Sequence, residues 1–98
     1  MIVAEFSVIP LGEGSSVSRY VKAAVKELKG PGIKVEPSAM GTVIEANDLR
    51  TIFDAVERAH EAVFAAGIQR VVTELKIDER RDKELSIQSK LEALKNDG

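Results

Sequence analysis

Side chains of four different chemistries fall inside one short stretch, Ser38-Ala39-Met40-Gly41-Thr42-Val43-Ile44-Glu45. Ser38 and Thr42 offer hydroxyls, Met40 a polarizable thioether and Glu45 a carboxylate. If the protein has a small-molecule site, it is expected to touch this stretch. The stretch reads as a strand, because Thr42, Val43 and Ile44 are β-branched and Asn47-Asp48 ends the run as a turn or helix cap. Gly41 removes a side chain from its middle, which often marks the close approach of a ligand or another backbone. Alternation places Thr42 and Glu45 on opposite faces. A plain central strand, with one solvent-facing carboxylate and Met40 in the core, is the alternative, and residue chemistry by itself favours it.

Outside this stretch the candidates are fewer. Ser7 and Glu5, on a neighbouring strand, could add polar contacts or simply face solvent or an interface. His60 follows Val56 by one helical turn and Phe53 by two, at the border of a buried stripe. The ordinary role there is a satisfied helix-border histidine, and the other reading has it lining a pocket. Tyr20 could point its ring toward the same cavity or pack in the core. Glu45 and His60 could in principle work as an acid–base pair, but nothing places a nucleophile beside them, and no catalysis is expected. The absence of cysteine excludes disulfides and thiolate metal sites, and a single histidine argues against a zinc site, so neither a metal nor a cofactor is expected.

The chain has 98 residues, enough for a single domain over 1–98. Hydrophobic residues make up 44% and charged residues 31%, the balance of a globular protein. A net charge of −2 and few aromatic rings argue against a nucleic-acid partner. No apolar run approaches the roughly 18 residues of a membrane helix, and Met1 leads straight into a strand pattern rather than a signal peptide. A cytoplasmic location is expected.

The elements that must position these groups follow from periodicity. Ile2 to Ile9 alternates as a strand that Pro10, lacking an N–H, should end. Leu11 to Ser16 is a loop with capping residues; it resembles phosphate-binding loops in composition but lacks their Gly-Lys-Ser/Thr ending. Val17, Val21, Ala24, Val25 and Leu28 make one stripe of a helix over about 17–29, closed by Gly30-Pro31-Gly32. Ile33 to Glu36 is a short edge strand. A second helix over about 49–66 buries Leu49, Ile52, Val56, Ala59 and Val63, widened by Phe53 and Phe64, and Gly67 ends it. Val71, Thr73, Leu75 and Ile77 form the inner face of a fourth strand. A short helix over about 84–95 carries Ile87, Leu91 and Leu94.

Strand-helix-strand-strand-helix-strand with right-handed crossovers predicts an α+β, ferredoxin-like βαββαβ sandwich with a C-terminal helix, in the strand order fourth, first, third, second. The sheet face away from the helices then carries Val3, Glu5, Ser7, Ile9, Val72, Glu74 and Lys76. That mixture is too apolar for water alone and too polar for a simple core. A second copy of the chain covering it is expected, so the protein should be a homodimer or homotetramer.

Several blocks, in order, resemble one family: Ala4 through Gly12, Met40 through Glu45, His60-Glu61, Gly67 with Arg70-Val71, and Ile77 through Asp82. The chain resembles the small thiamine-binding proteins, long known as a domain of unknown function and related to larger proteins that bind thiamine or its hydroxymethylpyrimidine part. The resemblance implies a ferredoxin-like subunit, assembled into dimers and tetramers through its sheets, with no established catalysis. It implies that Ser7, Ser38, Met40, Thr42, Glu45 and His60 line a site for thiamine or hydroxymethylpyrimidine. Glu45 would favour the thiazolium cation, and Thr42 and Ser38 the pyrimidine edge. Arg80 and Arg81 would meet a phosphate if the ligand carried one, or else pair with Asp78, Asp82 or a neighbouring subunit. A structural or regulatory oligomer sensing another small metabolite is the alternative.

Overall fold

Apolar side chains at every second position define the first element, β1 (Ile2–Leu11), in which Ile2, Ala4, Phe6 and Val8 are buried on one face. The computed structural model describes residues 1–12 and 17–97, so the loop's Ser15 and Ser16 lie outside the described residues. After β1 come α1 (Ser18–Leu28), β2 (Ile33–Pro37), β3 (Thr42–Ala46), α2 (Leu49–Ala65), β4 (Arg70–Glu79) and α3 (Ile87–Asp97). The four antiparallel strands lie in the order β2-β3-β1-β4. Buried residues of α1 and α2 join Phe6, Ile44 and Ala46 in one core on a single sheet face. This is the ferredoxin-like arrangement that the element order predicts.

β2 and β4 each run slightly past expectation, to Pro37 and Glu79, and the boundaries of β1 and β3 differ more. β1 does not stop at Pro10: its pairing with β4 continues through Pro10↔Val71 to Leu11↔Arg70. The reason lies in which edge each residue faces. The Phe6 carbonyl oxygen lies 3.2 Å from the position a Cβ on Gly41 would take, so Phe6 faces the β3 side. Alternate residues Val8 and Pro10 face that side too, and β3 pairs with β1 only as far as Phe6↔Thr42. The N–H that proline lacks would have met no partner strand. The second difference is that the strand expected over 38–45 begins at Thr42 and runs to Ala46. Ser38 closes a tight turn instead, donating both its N–H and its Oγ–H to the Gly41 carbonyl at 2.8 Å.

The helices bury less than their sequence stripes suggest. On α2, Ile52, Ala55, Ala59 and Val63 are buried, whereas Leu49, Phe53 and Phe64 lie on its exposed side. α1 buries Tyr20, Ala24 and Leu28. It ends as Lys29 turns extended, because Pro31 disfavours helical backbone at Gly30; the left-handed glycine of that turn is Gly32, at φ 77°. Gly67, at φ 111°, ends α2 as expected.

Asp48 caps α2, accepting from the Thr51 N–H at 2.8 Å and the Thr51 hydroxyl at 2.9 Å. The backbone N–H of Thr51, then its hydroxyl, hold the Asp48 carboxyl below the ordinary 3.8. A lowered folded value means that the charged cap contributes fully above 3.8 and is lost as pH falls through the folded value. Asp48→Asn is expected to flatten the acid side of the stability–pH curve, measured by thermal melts across that range. An unchanged acid slope would remove the charged cap from the account.

Candidate functional site

A cleft of about 320 Å³ opens where β1 outruns β3. Its floor and near wall are Phe6, Ser7 and Val8; α1 supplies Val21 and Val25; and the β2–β3 connection, Pro37 through Thr42, closes the far side. The sequence builds it in three ways. The tight Ser38–Gly41 turn closes the connection on itself, so that it does not continue the ladder with β1. Val21 and Val25, four positions apart, present one helical row of short side chains. At Gly41 a Cβ would meet the Phe6 carbonyl at 3.2 Å and Glu5 Cγ at 3.5 Å, so a side chain there would be tight and would push Gly41 a few tenths of an ångström from β1.

Of the residues singled out from the sequence, Ser7, Ser38, Met40 and Thr42 meet at this cleft. Thr42 is buried at 4% exposure, while Met40 stands at the rim, 89% exposed, and so is not a core residue. Ser38 lines the cleft with its hydroxyl committed to the Gly41 carbonyl. Ser7 is half-buried in register with Glu74 on β4.

Glu45 and His60 do not join them. The pleat that sends Thr42 toward the helices sends Glu45 to the opposite face. There Glu45 Oε1 accepts the Ile87 N–H at 2.7 Å, at the start of α3, next to a small cluster of Val3, Leu85 and Ile87. A carboxylate is favoured at that position, where the first N–H groups of a helix lack partners of their own. His60 lies in the helix layer on the β4 side, with Nδ1 2.7 Å from Thr73 Oγ1 and its ring edge-to-face with Phe64 at 5.3 Å. The two residues are separated by the sheet and form no acid–base pair. Tyr20 packs in the core, with Arg19 stacked 4.7 Å over its ring.

Val8, Val21 and Val25 were missed as lining residues, since valines at core spacing carry no chemical signal. Leu85 was missed as the anchor of α3, as was the Ser86–Ser89 pair whose side chains cap each other's N–H groups at 2.9 Å. That last pattern could have been read as a variant of the capping box. The α3 stripe itself is only partly used: Ile87 is buried, and Leu91 and Leu94 face outward.

The arginines singled out after β4 are paired with neighbouring carboxylates. Arg80 donates to both Asp82 oxygens at 2.7 and 2.6 Å, which holds the Asp82 carboxyl down at about 2. Arg81 meets Glu79 at 3.2 Å, and Lys90 meets Asp78 at 2.6 Å. No helix among the described residues is long and apolar enough to cross a membrane.

Comparison with known proteins agrees with this architecture. The chain is 52% identical over 96 residues to a UPF0045 protein of Methanothermobacter thermautotrophicus, covering 97% of both chains. A crystal structure of a hypothetical protein from Methanocaldococcus jannaschii superposes with a TM-score of 0.89 at 52% identity, over 96% of this chain and 95% of that one. A candidate thiamine biosynthesis/salvage protein from Thermotoga maritima shares the fold, with a TM-score of 0.78 at 19% identity over 95% and 97% of the two chains. Residues 4–95 match the family model described as thiamine-binding protein. The chain belongs to the thiamine-binding protein family.

Proposed function

We propose that the protein binds thiamine, or its hydroxymethylpyrimidine part, in the cleft between α1 and the β2–β3 connection, without catalysis and in the cytoplasm. The observation that carries this reading is the cleft itself, in a chain of this family. Its volume of about 320 Å³ lies at the small end of ligand pockets, roughly 300–1,000 Å³, which suits a ligand of one or two small rings better than a large cofactor. Its lining is mostly apolar, with Ser7, Ser38 and Thr42 as the polar side chains, and Met40 stands at the mouth. The charge-balancing role expected of Glu45 is left out, because that carboxylate faces α3.

Ligand at ~100 times its dissociation constant should stabilise the fold by about 2.7 kcal/mol. For a chain of this size that corresponds to a rise in Tm of roughly 10–20 °C. Thermal melts with thiamine and with hydroxymethylpyrimidine check this. No shift with either at millimolar concentration would sink the proposal and favour a domain that senses another metabolite. Turnover of thiamine in a product assay would overturn its non-catalytic part.

Assembly belongs to the same reading. α3 covers the open sheet face only around Val3, Val43 and Glu45. Ile9 and Val72, paired across β1 and β4, stay 45% and 40% exposed. A second copy seated on this face would bury them. Light scattering at micromolar concentration is expected to give a dimer or tetramer, and a stable monomer would refute it.

A further inference from the structure

The proposed ligand carries a distinctive edge, a ring nitrogen that accepts a hydrogen bond beside an exocyclic amine that donates one. The cleft holds a matching pair in the main chain. Within an extended strand, the N–H and C=O of one residue point to the same edge, and successive residues alternate edges. Phe6 faces β3, as the approach of its carbonyl to Gly41 shows, so Val8 faces the same way. Ladder pairing on that edge ends at Phe6↔Thr42. Continued, the register would set Val8 opposite Met40, but the connection has closed on itself through the two Ser38 hydrogen bonds to the Gly41 carbonyl. Among the described residues, Val8 therefore leaves a donor and an acceptor side by side on the edge that β3 does not pair, at a residue that is 8% exposed and lines the cleft.

The geometry points to Val8 as the residue that reads the aminopyrimidine edge, its N–H donating to the ring nitrogen and its C=O accepting from the amine. This rests on the thiamine reading above and adds to it the atoms that select the ligand. The side chain at position 8 stays in the core, so the recognition is carried by the backbone and leaves no mark in residue type. Thr42 and Ser7 flank the pair and are left to contact the ring substituents.

Two arms test it on the full chain. Oxythiamine replaces the ring nitrogen and amine by a ring N–H and a carbonyl, which reverses donor and acceptor against Val8. Calorimetry is expected to show oxythiamine binding roughly tenfold or more weaker than thiamine, the effect of mismatching a pair of hydrogen bonds. In nitrogen-labelled protein, thiamine should shift the Val8 amide proton downfield along the same titration. Val8→Pro removes the donor from an edge that has no ladder bond to lose, and should weaken thiamine by a similar factor. If that variant does not fold, the oxythiamine and amide arms decide alone. Tight thiamine binding with an unmoved Val8 amide and equal affinity for oxythiamine would overturn this assignment and leave the binding function standing. Absence of thiamine and hydroxymethylpyrimidine binding would remove both. Concentration-dependent protection of the Val8 amide in ligand-free protein would assign the edge to a second copy instead.

Discussion

Phe6→Ala is expected to destabilise the fold by about 3–5 kcal/mol, the cost of removing a large ring from a filled core. Phe6 is 1% exposed and sits where the sheet core meets the cleft, packed with Ile44 and the small residues of both helices. Ala24, Ala55 and Ala59 offer short, stiff surroundings, so the hole has few flexible neighbours to refill it. Against a total of about 5–15 kcal/mol for a typical domain, the loss is a large fraction. Urea unfolding followed by circular dichroism measures it, with an unchanged slope showing that the effect lies in stability. Because Phe6 also forms the floor of the cleft, the variant should bind thiamine more weakly even under conditions where it is folded. A loss under about 1 kcal/mol would mean that the core collapses around the gap, contrary to the packing described.

The second large effect concerns Glu45. Glu45→Ala leaves the buried Ile87 N–H without its acceptor, which should cost roughly 1.5–3 kcal/mol as the loss of a hydrogen bond to a charged group. The penalty falls on the docking of α3, through Leu85 and Ile87, more than on the central core. Hydrogen exchange should therefore speed up in α3 before the α1–α2 layer changes. Glu45→Gln keeps an acceptor and should lose less, since a neutral hydrogen bond is worth about 0.5–1.5 kcal/mol. Thiamine affinity of folded Glu45→Gln should change little, because the carboxylate faces away from the cleft. Lost affinity with α3 unaffected would return Glu45 to the binding site.

How much of this could be read from residues alone depended on whether the feature was local. Alternation over Ile2–Val8 and Val71–Ile77 specified which side chains face the helices, and the element order specified the strand neighbours. Asp48 and Gly67 marked the ends of α2 by chemistry that acts within a few residues. The cleft was less legible. It arises from a difference in length between β1 and β3, and from a turn at Ser38–Gly41 that a β-branched run following it disguised as strand. Glu45 was the clearest miss. Its alternation was read correctly, opposite to Thr42, yet its partner is the backbone of Ile87, far away in the chain, and no periodicity announces such a contact. Leu91 and Leu94 show the converse: a helical stripe states which side chains share a face, but does not say what covers it.

Pro10 has a consequence for how this protein survives at high concentration. A strand that outruns its neighbour is an invitation to intermolecular pairing and aggregation, because it presents unused backbone groups in a row. On the edge of β1 that β3 leaves unpaired beyond Phe6, the residues whose backbone points that way are Val8 and Pro10, both buried, and proline has no proton to give. An incoming strand would find a single donor there and then a ring in its path, too little to template a growing ladder. A small heterocycle needs only that one donor and the carbonyl beside it. The same proline that discourages fibrils thus leaves the edge usable by a molecule the size of one ring.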